Sequence, residues 1–124
     1  MRFLTLVAFI VIGLMASSFT MLNTEPNEIN TIALDPGHGG HDPGTVGSRT
    51  LEKDINLSVV YEVGALFKQH FPEKRIVYTR YFSDEFVALK ERTLIANKHR
   101  AKLFVSVHCN ASPISPNVSG YEIF

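Results

Sequence analysis

The chain has 124 residues, enough for one small domain, and its 12 basic residues balance 12 acidic ones. A net charge of zero gives no electrostatic pull toward nucleic acid, so that class of function is set aside. A lone cysteine, Cys109, excludes an internal disulfide, and the fold must stand on its core; placed after an apolar strand, it reads as a small buried filler.

At the N-terminus, Arg2 precedes an apolar run from Phe3 to Met15, and Ala16, Ser17 and Ser18 supply small residues at the spacing a signal peptidase accepts. The expectation is an export leader over residues 1–18, cleaved after Ser18. An uncleaved membrane anchor competes with it, because Phe19, Met21 and Leu22 lengthen the apolar stretch toward the roughly 20 residues that span a bilayer. Residues 19–30 read as a linker: Asn23 to Asn30 is polar, contains Pro26 and has no periodicity. The folded domain is expected over residues 31–124.

Thr31, Ile32, Ala33 and Leu34 read as a buried strand that cannot continue through Pro36 to Gly40, since proline lacks the ladder N–H and glycine gives up backbone order. The chain leaves a sheet edge here in a loop holding His38, His41, Asp35 and Asp42. Glycines on both sides of His38 allow tight bending and close approach of a ligand. Neither nucleotide motif fits: a dinucleotide fingerprint starting at Gly37 needs glycine where Asp42 stands, and the Gly-Lys-Ser/Thr of a Walker loop is absent.

Thr50 is expected to cap a helix with Ile55, Val59, Val63, Leu66 and Phe67 on its apolar face, stopped by Pro72. Arg75 to Thr79 reads as a strand. Ser83 or Asp84 is expected to cap a second helix carrying Phe86, Leu89, Thr93 and Ala96. Leu103 to Val107 is a third strand, and a fourth is expected to start at Gly120. His70 and His99 fall in the last turns of the helices, where structural roles suit them.

Alternating strands and helices imply an α/β fold: a mostly parallel sheet with right-handed crossovers, here β-α-β-α-β plus the start of a further strand. All strands then end on one edge. His38 lies just past the first, His108 just past the third, and Glu52 in the opening turn of a helix that starts near that edge. With the first strand in the middle, His38 and His108 sit on neighbouring strands, where open α/β sheets bind ligands. Two imidazoles and a carboxylate are the ligand set of a catalytic zinc ion with its fourth position open to water. Each residue also has a plainer use. Glu52 suits a helix N-terminus without any metal, and His41 reads as a surface histidine. Asp35 is expected to orient a ligand imidazole. Arg80 either pairs with Asp84 or holds a substrate carboxylate, and Asn110 either donates to substrate or braces its loop.

Five segments in order carry a resemblance: Ile32 to Gly44 around His38, Leu51 to Leu57 around Glu52, Val77 to Arg80, Leu89 to Arg92 with Ala96 and Asn97, and Phe104 to Ala111 around His108. Together they resemble the zinc-dependent N-acetylmuramoyl-L-alanine amidases, over nearly all of Thr31 to Phe124. The resemblance implies zinc held by His38, Glu52 and His108, and cleavage of the amide joining N-acetylmuramic acid to L-alanine in peptidoglycan. It implies a twisted, mostly parallel sheet with helices on both faces. The place of action is then periplasmic or extracellular at the cell wall, with an activator protein as a partner and the membrane one only if the leader is uncleaved. Family members supply a further glutamate late in the domain as general acid/base. That segment is expected beyond Phe124, which makes this chain incomplete at its C-terminus and a slow catalyst alone. Glu122 reads as a strand residue and only a weak stand-in. Two other classes share these features: a non-catalytic peptidoglycan-binding or regulatory zinc protein, and another zinc hydrolase such as a carboxypeptidase or deacetylase.

Overall fold

The computed structural model describes residues 28–112 and 120–123, so the expected leader and most of the linker lie outside it. Three strands, β1 (Thr31–Pro36), β2 (Arg75–Tyr78) and β3 (Leu103–Val107), alternate with two helices, α1 (Glu52–His70) and α2 (Leu89–Lys98). The sheet is parallel throughout, in the order β2-β1-β3. Among the described residues no helix is long and apolar enough to cross a membrane.

The central strand sets the two layers, because successive side chains point to opposite faces. Ile32 and Leu34 join Val60 of α1 in a small core, with Val63, Phe67, Ile76, Tyr78, Val105 and Val107 packed around it. The opposite parity, Ala33 and Asp35, faces α2, whose Arg92 reaches Asp35. One helix thus covers each face. The first crossover runs from β1 to β2 and the second from β2 back past β1 to β3. Right-handed connections that run in opposite directions along the sheet put their helices on opposite faces, and β1 is where the strand order reverses.

Several local expectations are corrected. Pro36 continues β1, pairing with Val107. Ladder sides alternate along the strand: Leu34 accepts from Thr79 on the β2 side and Gly37 donates to Val107 on the β3 side. The missing N–H of Pro36 therefore faces β2, where pairing has already ended at Leu34 and Tyr78. Thr50 is not the cap of α1. Leu51 holds that position with no side-chain bond, and the first amides are satisfied by the loop, Glu52 donating to Thr45 O at 2.9 Å and Lys53 to Pro43 O at 3.1 Å.

The buried stripe of α1 is Glu52, Asn56, Val60 and Gly64. Val63 and Phe67 pack against the core as expected, but Ile55, Val59 and Leu66 are exposed. The second helix starts at Leu89 with Ala88 as its cap. Neither Ser83 nor Asp84 caps it: the Ser83 hydroxyl bonds Asp54 and its carbonyl accepts from Gly40. It buries Arg92 and Ala96, while Leu89 is 84% exposed. His99 caps the end of α2 and contacts Arg75, its Nδ1 being 3.0 Å from the guanidinium. Gly120 to Ile123 forms no strand; Tyr121 and Ile123 are 90% and 88% exposed, so an alternating pattern without a neighbouring strand gains neither ladder bonds nor burial.

Candidate metal centre

The loop after β1 turns back on itself at His38, whose φ of 62° is unusual for a residue with a Cβ. Two buried guanidiniums hold it there. Arg92 donates to Pro36 O at 2.8 Å, His38 O at 2.7 Å and Val87 O at 2.8 Å, and pairs with Asp35 Oδ1 at 2.8 Å. Arg80 donates to Pro36 O, Gly37 O, Lys53 O and Phe82 O at 2.8–3.1 Å. The three consecutive carbonyls of Pro36, Gly37 and His38 are therefore all pinned by arginine. Guanidinium suits this task, with five donors in a fixed fork.

Arg80 is fully buried. It takes neither expected role: its bonds are to four backbone carbonyls, not to Asp84, and it is not presented to a substrate. Burial, with the Arg92 charge adding to it, pushes its pKa below the usual arginine value.

The same loop and the start of α1 bring three donors together. His38 Nε2, His108 Nδ1 and Glu52 Oε1 stand at 3.1 Å from one another on every side. Gly37 makes room, since a Cβ there would lie 2.3 Å from Cε1 of His108. Gly44, at φ 66°, does the same for His38 and Glu52, whose atoms lie 2.6 and 2.8 Å from its would-be Cβ.

Asp42 Oδ2 lies 2.9 Å from His38 Nδ1, and its Oδ1 accepts from Gly44 N at 3.1 Å. An ionised carboxylate only accepts, so Nδ1 carries the hydrogen and Nε2 turns a lone pair toward Glu52 and His108. The bond to His38, with the Gly44 amide, holds the Asp42 carboxyl below its ordinary value. Asp42, not Asp35, is thus the carboxylate that orients a histidine of the cluster. Asp35 is buried on the other side of β1 and is consumed by Arg92, Thr79 and Ser106, the last donating at 2.6 Å.

Glu52 is 4% exposed. Burial raises its pKa, but the amides of Thr45 and Cys109, with Thr45 and Asn56 side-chain contributions, outweigh that and bring it to about 2. The carboxylate is therefore ionised near neutral pH while facing two imidazoles. Donor atoms crowded at 3.1 Å need a shared proton or a cation among them. Zinc bonds of about 2.0–2.1 Å in a tetrahedral site space the donors about 3.4 Å apart, so these residues fit such an ion. Among the described residues this is the one group of three or more His, Cys, Asp or Glu side chains with that convergence.

The remaining candidates stand apart. His41 is exposed and stacks on Phe86, with ring centroids 4.1 Å apart. Asn110 is exposed two residues beyond His108, and Glu122 is exposed outside the cluster. Cys109 is half-buried; burial raises its thiol pKa, and its backbone amide serves Glu52. Sequence reasoning missed Asp42, Arg92 and Asn56, whose amide reaches Gly37 O at 3.3 Å. The spacing of Asp42 four residues after His38 in a glycine-rich turn was the available signal for the first. Asp42→Asn is expected to weaken metal binding about 10- to 100-fold, measured by competition with a chromogenic chelator.

An open cleft of about 510 Å³ runs from the cluster along the α2 face, between Leu89, Arg92 and Thr93 of α2 and Phe104 and Ser106 of β3.

The sequence profile described as N-acetylmuramoyl-L-alanine amidase matches residues 32–124. The N-acetylmuramoyl-L-alanine amidase AmiC of Escherichia coli is 42% identical over 94 residues, 75% of this chain and 22% of that protein. Among solved structures, amidase AmiC2 of Nostoc punctiforme matches with TM-score 0.65 and 39% identity over 73% of this chain and 49% of that one. The CwlD amidase of Clostridioides difficile, solved in complex with the GerS lipoprotein, matches with TM-score 0.52 and 30% identity over 68% and 50%. The chain spans about half of these structures and less than half of the curated relatives it matches. On the extent of the profile match and these identities, the chain belongs to the N-acetylmuramoyl-L-alanine amidase family.

Proposed function

We propose that the chain takes part in zinc-dependent hydrolysis of the amide between N-acetylmuramic acid and L-alanine in peptidoglycan, with His38, Glu52 and His108 as the metal ligands. The observation that carries this reading is the triangle of donor atoms at 3.1 Å, at the carboxyl ends of β1 and β3 and open to a cleft. A zinc ion held there supplies a polarised carbonyl and an activated water.

The chain's own residues do the positioning. Asp42 fixes the His38 tautomer, Arg92 and Arg80 fix the loop that carries it, and the Thr45 and Cys109 amides keep Glu52 ionised. Asp42 and Glu52 are committed to these bonds and Asp35 to Arg92, Thr79 and Ser106, so none of them is assigned as the general acid/base. Action at the cell wall, export by the N-terminal 18 residues and control by a protein partner belong to the same reading. Its support is the family, together with the relative solved beside a lipoprotein.

The test is incubation of the zinc-loaded chain with purified peptidoglycan, followed by identification of new termini. Peptides with free L-alanine amino termini are the expected products. Release of D-alanine would assign a carboxypeptidase and release of acetate a deacetylase.

A further inference from the structure

Phe86 is 46% exposed, yet its position is set from several sides. Its ring lies against His41, tilted 34° at a centroid distance of 4.1 Å. Its backbone is packed on Gly40, where an added Cβ would come within 2.7 Å of Phe86 Cβ and 2.9 Å of its nitrogen. Gly40 is itself tied to Ser83 O by its amide at 2.8 Å and to Lys53 Nζ by its carbonyl at 2.8 Å. A large aromatic side chain fixed in this way, half exposed and lining the same cleft as His38 and His108, is a contact surface more than a core residue.

The chemistry of the cleft decides which part of a substrate suits it. With the scissile carbonyl at the cluster, the sugar lies on one side, separated from it only by the ether-linked lactyl group, and the stem peptide on the other. The stem peptide carries carboxylates. Among the described residues, the one basic side chain of the cleft lining besides the histidines is Arg92, whose donors are already taken by Asp35, Pro36, His38 and Val87. Asp42 adds a negative charge at the rim. Phe86, Val87, Leu89 and Phe104 form an apolar wall. An uncharged pyranose, with a C–H-rich face and an acetamido methyl, matches this surface; an anionic peptide does not.

We propose that Phe86, backed by His41, is a stacking platform for the N-acetylated sugar ring next to the scissile bond. This rests on the amidase reading. The test measures binding of two probes to the zinc-loaded chain: muramyl dipeptide, and the same lactyl dipeptide without the sugar. The unaltered chain should bind the first more tightly, and its aromatic protons should transfer saturation to the pyranose protons. Phe86→Ala, and Phe86→Leu in case the smaller side chain unfolds the loop, should weaken muramyl dipeptide about 3- to 10-fold and leave the sugar-free probe unchanged; Phe86→Trp should keep the preference. Equal weakening of both probes, or no preference for the sugar in the unaltered chain, overturns the platform and leaves the amidase reading standing. Binding of neither probe by the zinc-loaded chain overturns both.

Discussion

Replacing Arg92 by methionine is expected to lower folding stability by about 3–5 kcal/mol, read as a shift in the urea midpoint, because it strips one partner from a buried ion pair. Asp35 would remain 3% exposed with only two hydroxyl donors, and the carbonyls of Val87 and His38 would lose the guanidinium. Arg92→Lys should recover only part of the loss, since one ammonium cannot span acceptors that a planar fork reaches at 2.7–2.8 Å. The effect should extend to the metal. With the His38 carbonyl released, the left-handed turn loses an anchor, and zinc affinity should fall even in the protein that remains folded. A stability change under about 1 kcal/mol, the range of an exposed ion pair, would show that the loop is held by something other than Arg92.

Glu52→Gln has a different signature. The amide side chain keeps the size but removes the charge that two imidazoles face, so zinc binding should fall further than the loss expected for Asp42→Asn. The metal-free protein should also change its acid response. The carboxyl sits at about 2 against an ordinary 4.5. A depressed folded-state value means the unfolded chain takes up the proton first, so the carboxylate's contribution is fully present above about pH 4.5 and is lost as pH falls toward 2. Asp42, also depressed, acts in the same direction. Acid titration of the metal-free chain should show stability falling through that window, with a shallower slope in Glu52→Gln. An unchanged slope would mean that Glu52 is not held ionised by the Thr45 and Cys109 amides.

The large features were legible in the sequence because they follow from periodicity and connection rules. The three strands lie within a residue or two of the segments that the pattern marks, and the central place of β1, a supposition at the level of sequence, is what the structure has. Parallel strands joined by helices end on one edge whatever their order, which brings His38, Glu52 and His108 together there, and the order β2-β1-β3 makes the two histidines neighbours. What was not legible depends on partners that leave no pattern. Arg80 and Arg92 act on backbone carbonyls, which every residue has, so no spacing in the sequence marks them.

Asp35, three residues before His38, and Asp42, four after it, are the same residue type flanking one histidine. Only the pleat sends the first to the α2 face and only the turn brings the second to Nδ1. In α1 the hydrophobic pattern misplaced the inner face because that face is not purely apolar. Glu52, Asn56, Val60 and Gly64 recur every four residues, with a polar pair serving the site and a glycine that admits the Tyr78 ring. The strand expected from Gly120 does not form over Gly120 to Ile123, since a short extended segment gains nothing where no neighbour pairs with it.

Whether one zinc ion is held by His38, Glu52 and His108 can be read from anomalous scattering by crystals of the zinc-loaded chain, collected on both sides of the zinc edge. A single strong peak is expected within bonding distance of Nε2 of His38, Nδ1 of His108 and Oε1 of Glu52, absent in crystals of His108→Ala. A peak at other residues, or one that persists at full height in that variant, would contradict it.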